Sequence, residues 1–136
     1  MAARVCASEV IEMRKQVSKQ LGTLQVGDLV RVEWFDASIG KSLGGGSIDI
    51  PVLSWGVFLG IMGKRNKHIV LAQNNFCYAD GFYDIDYTAI PLSWATKVQL
   101  MVSEALSREE GDELARSFVL GQRRSRRFQR KVTNHD

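Results

Sequence analysis

Residues 30–34, Val-Arg-Val-Glu-Trp, constrain the fold more than any other stretch. Apolar residues take every second position and charges fill the gaps. A half-buried strand satisfies that period, because successive side chains leave a strand on opposite faces. Gly27-Asp28, just ahead, is a turn pair. Further apolar runs follow at short spacing over 52–62, 68–73, 87–90 and 97–101. Pro91-Leu92-Ser93-Trp94 between the last two reads as a tight turn, one 3₁₀ turn long, with Trp94 packed back on the sheet. Five short strands within 26–101 predict a small β-barrel.

The flanks of this core read as helices. Ser8 is expected to cap a helix over 8–21, with Val10, Val17 and Leu21, and Met13 or Ile11 beside them, as its apolar stripe. Gly22 is its expected left-handed stop. The stripe either plugs an open end of the barrel or forms an oligomer interface. Ser107-Arg108-Glu109-Glu110 is a capping box that opens a second helix over 107–120, with Leu114 and Phe118 on its apolar face. The expected organisation is one mainly β, α+β domain over 1–136. It comprises a helix (8–21), a five-stranded barrel (26–101), a helix (107–120) and a basic tail (121–136).

Charge is distributed unevenly along this plan. The total is +3, made of +2 over 1–24, −1 over 25–101, −3 over 102–120 and +5 over 121–136. The barrel is therefore near neutral and the basic character lies in the tail. Arg123, Arg124, Arg126, Arg127, Arg130 and Lys131 crowd around a single aromatic, Phe128. That is an electrostatic footprint for phosphate backbones. The alternative is a solvated tail, or one partly paired with the acids of the helix before it. Lys64, Arg65 and Lys67 form a basic turn between two strands, either a phosphate contact or a solvated hairpin tip.

Two longer connections carry the remaining candidates. Residues 74–87 hold five aromatics and Asp80, Asp84 and Asp86 and read as a loop. Its rings either fold back on the core or form a surface on which Tyr78, Phe82 and Tyr83 stack against bases. The aspartates lack EF-hand spacing, and no metal site is expected. Phe58, flanked by Gly56 and Gly60, either packs under an end helix or offers a stacking platform. Residues 37–47 are rich in Gly and Ser. Gly40-Lys41-Ser42 resembles part of a P-loop, but position 35 is Phe where that motif needs Gly, and the glycines and Pro51 beyond oppose a following helix. What remains is an anion cradle of backbone N–H groups at 44–46 with Lys41 beside it, or a mobile hairpin tip.

Several classes are disfavoured. The longest apolar run, 57–62, is broken by Gly60 and too short for a bilayer, and no secretory signal is visible near the start. Cys6 and Cys77 make neither a disulfide framework nor a zinc pattern, so a cytoplasmic compartment is the default expectation. No acid pair, triad or metal cluster stands out around the two histidines, so an enzyme is not expected and neither is a cofactor.

Three segments in order carry a resemblance: Gly27-Asp28-Leu29-Val30-Arg31-Val32-Glu33-Trp34-Phe35-Asp36-Ala37, then Ile69-Val70-Leu71-Ala72-Gln73, then Ala89-Ile90-Pro91-Leu92-Ser93-Trp94. Over 26–101 the chain resembles small uncharacterised proteins of bacteriophage and prophage genomes. Its strand order with a turn before the last strand is similar to SH3-like and Sm-like barrels. The resemblance carries over no functional residues; it implies a phage-type protein acting in the host cytoplasm. Combined with the charges and aromatics, the expectation is a non-catalytic, homo-oligomeric binding protein for a nucleic acid or a small nucleotide. The alternatives are an inhibitor of a host defence system, by sequestering a nucleotide signal or by binding a defence protein, and a small virion or scaffold component.

Overall fold

The computed structural model describes residues 6–37, 48–120 and 124–125. Lys41 and the glycine-rich stretch around it lie outside the described residues, as do Arg123, Arg126, Arg127 and Arg130. Helix α1 (Ala7–Thr23) is followed by β1 (Leu29–Asp36), β2 (Ile50–Met62), β3 (His68–Cys77) and β4 (Phe82–Pro91). A 3₁₀ turn (Leu92–Trp94), β5 (Ala95–Val102), α2 (Arg108–Leu120) and a two-residue strand, β6 (Arg124–Ser125), complete the order. No helix among the described residues is long and apolar enough to cross a membrane.

The strands form one antiparallel sheet in the order β5-β1-β2-β3-β4, with β6 appended beside β4. The fold is thus mainly β, α+β, as the alternation implied. The expected closure into a barrel is not seen: β5 and β4 do not pair with each other. Each outer edge meets another element. The Gln20 side chain of α1 accepts a hydrogen bond from the Val98 N–H of β5 at 2.9 Å, and β6 pairs with the start of β4. Unpaired strand edges attract any available partner, and here the partners are a helix side chain and a short strand.

The inner face buries Val30 and Val32 of β1, Phe58 of β2, Ile69 and Leu71 of β3, Ile90 of β4 and Val98 of β5, with Val17 and Leu21 of α1 laid over them. Val30, Ile69, Leu71 and Ile90 are fully buried. Phe58 is therefore core and not a platform. The alternation of β2 breaks at a bulge between Phe58 and Gly60, where Leu59 is the extra residue and Gly60 takes φ +128°. Leu59 is buried next to Phe58, while Ile61 is exposed. Gly is the residue that tolerates the left-handed backbone such bulges impose.

Other local expectations are corrected. Cys6, not Ser8, precedes α1, and the Glu9 carboxylate reaches back to the Cys6 N–H at 2.8 Å. Gly22 stays within α1, and the helix stops where Leu24 turns extended at φ −80° and ψ 149°. The capping box at Ser107 forms: its Oγ accepts from Glu110 N–H at 3.2 Å, and Glu110 accepts from Ser107 N–H at 3.4 Å. The 3₁₀ turn at Leu92–Trp94 and the stacking of Trp94 on Trp34 match the sequence reading. The largest correction concerns 74–87. These residues form a hairpin arm in which Asn74, Asn75, Phe76 and Cys77 pair with Asp86, Ile85, Asp84 and Tyr83. Its turn closes through the Asp80 carboxylate, which accepts from Phe82 N–H at 3.0 Å, and through Gly81 at φ +88°. The reversal is thus built from two residues that local turn chemistry favours.

Asp28 ties the core to both flanks. It is 3% exposed. One carboxylate oxygen accepts from Gln25 N–H at 2.8 Å and the other from Glu104 N–H at 3.0 Å. Its neighbour Gly27 donates to Phe58 O at 2.9 Å and accepts from Leu106 N–H at 3.0 Å. The exit of α1, the middle of β2 and the β5–α2 connection thus meet at one turn.

Candidate anion-binding cleft

A cleft of about 550 Å³ lies where α1, the β2–β3 turn and the 3₁₀ turn converge. Arg14, Val17 and Ser18 of α1 form one wall. Arg65, Asn66, Lys67 and His68 form the second, and Trp94 with its neighbours forms the third. The volume lies within the roughly 300–1,000 Å³ typical of small-molecule sites.

Each wall is positioned by identifiable interactions. Arg14, Val17, Ser18 and Leu21 share one helical face, since residues three, four and seven apart stack along a helix. Burial of Val17 and Leu21 against the sheet therefore carries Arg14 to the rim. The β2–β3 turn is shaped by Gly63 at φ +131°, where an added Cβ would collide with the Asn66 carbonyl. Lys67 Nζ donates to Gly63 O at 2.8 Å. Leu92 N–H donates to Lys67 O at 2.9 Å, which fastens the basic turn to the 3₁₀ turn. His68 Nδ1 lies 2.9 Å from Asn66 O. A carbonyl only accepts, so Nδ1 carries the proton and Nε2 is left for another partner. Trp94 stacks on Trp34 with ring centroids 6.4 Å apart and planes 20° from parallel, and Trp34 Nε1 donates to Ser54 Oγ at 3.0 Å.

The lining contains no Asp or Glu. Among the described residues, Arg31 is paired with Glu33 at 2.7 Å, whereas Arg14, Arg65 and Lys67 have no carboxylate partner. Three uncompensated cations around a concave surface with an aromatic side make a positive potential that attracts anions.

Of the residues expected from sequence, Arg65 and Lys67 line this cleft. Lys64 is exposed on the same turn but outside the lining. Tyr78 and Phe82 are exposed at the tip of the β3–β4 arm. That tip lies at the opposite end of β3, a ten-residue strand roughly 30 Å long. Tyr83, expected to stack on a base, is 5% exposed and so offers no ring face; its hydroxyl lies 3.5 Å from Glu113 of α2. Arg124 is described through its backbone pairing with Tyr83. No group of three or more His, Cys, Asp or Glu converges among the described residues. Sequence reasoning missed Arg14, His68 and Trp94 as site residues. Arg14 carried a readable signal, its place in register with the Val17–Leu21 stripe. The other two carried none, because only the strand pairing brings position 68 beside position 91.

Compared with family models, curated proteins and solved structures, the chain matches none of them.

Proposed function

We propose that this protein binds a phosphate-rich ligand, a nucleotide or a short nucleic acid, in the cleft between α1, the β2–β3 turn and the 3₁₀ turn, and that it binds without catalysing a reaction. The observation that carries this reading is the convergence of Arg14, Arg65 and Lys67, from two separate elements, in a cavity with no acidic residue. Arginine forks hold phosphate oxygens in two parallel hydrogen bonds, and lysine adds a point charge. Trp94 supplies an aromatic edge to the same space, which suits a base beside the phosphates. The strand order after an N-terminal helix supports a likeness to the SH3-like and Sm-like barrels. We read the sheet as an open relative of them, and the phage-type resemblance of 26–101 belongs to this same reading.

The test is a titration of the full chain with nucleoside triphosphates and with oligonucleotides, followed by tryptophan fluorescence. Saturable binding that weakens with added salt is expected. Arg14→Ala and the pair Arg65→Ala/Lys67→Ala are each expected to weaken it about tenfold or more, since a hydrogen bond to a charged group contributes about 1.5–3 kcal/mol. Binding that is unchanged in both variants would place the ligand elsewhere, and absence of binding at low salt would end the proposal.

A further inference from the structure

Helix α1 covers one face of the sheet, where Val17 and Leu21 join Val30, Val32 and Val98. Its apolar stripe is thereby spent inside the molecule. The alternate residues of the same strands lie on the other face, since successive side chains leave a strand on opposite sides. There the pairing sets rows across β1 and its neighbours. Leu29 is opposite Val57, Arg31 opposite Trp55, Glu33 opposite Leu53 and Phe35 opposite Pro51. On the far side of β1, Gln99 continues the Arg31 row and Lys97 the Glu33 row. Trp55, Leu53 and Phe35 are 48%, 47% and 46% exposed, and the Arg31 and Glu33 side chains form an ion pair at 2.7 Å. A solvated face of an antiparallel sheet is ordinarily polar. Large apolar side chains grouped around an arginine ion pair mark a protein contact instead.

We propose that this face binds a second copy of the chain, about a two-fold axis that crosses the strands midway between the Arg31 and Glu33 rows. Such an axis reverses the order of the rows and keeps each strand over its counterpart, so the two sheets stack with aligned strands. It sets Arg31 over the partner's Glu33 and Trp55 over the partner's Leu53. It sets Leu29 over the partner's Phe35, Val57 over the partner's Pro51 and Gln99 over the partner's Lys97. Two-fold symmetry repeats every one of these contacts in reverse. In these rows no charge meets its like, and no apolar side chain meets a charge. The two ion pairs stack head to tail into a cluster of four alternating charges. That self-complementarity favours a second copy over a polyanion, because Arg31 is already paired with Glu33.

The apolar rows supply the affinity, and the charges fix the register. Three strands about 4.8 Å apart and seven residues at about 3.4 Å each give a face of roughly 14 by 24 Å. With side-chain relief this buries on the order of 500 Å² per copy, about 1,000 Å² in the pair, the lower limit for a specific interface. A weak dimer follows, with a dissociation constant on the order of 10 μM. The anion cleft is walled by α1, on the opposite side of the sheet, so pairing of these faces leaves it open.

The experiment is sedimentation velocity of the full chain from about 1 to about 300 μM, a span that brackets such a constant. A reversible monomer–dimer equilibrium is expected. Trp55→Ser, at a half-exposed position, is expected to weaken it about tenfold or more, as loss of a central tryptophan does at protein interfaces. Glu33→Arg and Arg31→Glu, each alone, bring like charges together across the axis and are expected to be monomeric, with folding checked by circular dichroism. An equimolar mixture of these two variants is expected to recover a dimer, because position 31 of each copy then faces an opposite charge at position 33 of the other. A monomer at every concentration would overturn the proposal, and so would a parent dimer that Trp55→Ser and Glu33→Arg leave unweakened. A mixture that stays monomeric would overturn the two-fold register. A monomeric parent that loses oligonucleotide binding in Trp55→Ser would overturn the second copy in favour of a base-stacking surface.

Discussion

Replacing Asp28 by Ala is expected to be strongly destabilising. The carboxylate is buried, and each oxygen accepts one backbone N–H, from Gln25 and from Glu104. Removing it takes the partner from two backbone donors at once, on residues that are themselves exposed. A hydrogen bond to a charged group contributes about 1.5–3 kcal/mol, so two such bonds contribute about 3–6 kcal/mol. Water entering the space of the lost side chain recovers some of this, so the working figure is about 3–4 kcal/mol for the pair. For a domain of this size that corresponds to a fall in Tm of roughly 10 °C. Urea unfolding followed by tryptophan fluorescence gives the number directly. The midpoint is expected to fall while the slope stays constant, because the area exposed on unfolding barely changes. Asp28→Asn keeps one acceptor and is expected to lose less. A loss below about 1 kcal/mol for Asp28→Ala would mean that the two bonds do not fasten α1 and the β5–α2 connection to the sheet.

Two further predictions rest on single contacts. Gly111→Ala would gain up to about 1 kcal/mol from helix propensity alone. A Cβ there would sit 2.9 Å from Val26 Cγ1 and 3.0 Å from the Gly27 N atom, so a net loss of stability in thermal unfolding is expected, and a gain would show that α2 does not dock as described. The Cys6 thiol is held below its ordinary pKa, chiefly by the Ser8 hydroxyl, which donates to Sγ at 3.1 Å. A lowered pKa leaves more thiolate at a given pH, so alkylation of Cys6 is expected to begin at lower pH in the parent than in Ser8→Ala. Identical pH–rate curves would rule the hydrogen bond out as the cause.

The cleft and the acidic arm lie at opposite ends of one hairpin. The basic turn of the cleft precedes β3, and the acidic arm ends it. This polarity is a sequence property made spatial: Lys64, Arg65 and Lys67 and then Asp80, Asp84 and Asp86 are segregated along the chain. A straight strand keeps such blocks apart, at about 3.4 Å per residue. The aromatic residues expected to serve the basic block therefore sit with the acidic one, and Trp94 takes their place in the cleft.

What the sequence by itself determined was local. The alternation of Val30, Val32 and Trp34 placed β1, the Ser107 capping box placed the start of α2, and the sequence around Pro91 placed the 3₁₀ turn. Each depends on residues within one or two turns of the chain, where backbone preference and side-chain period act directly. The tertiary structure alone decided the rest. The Leu59 bulge, the extension of β3 and β4 into an arm, and the open sheet depend on which strands pair and at what register, and that is settled by contacts distant in sequence. The cleft is the clearest case. Arg14, Arg65, Lys67 and Trp94 lie on three elements, and only the burial of α1 against the sheet and the Lys67–Leu92 hydrogen bond make them neighbours.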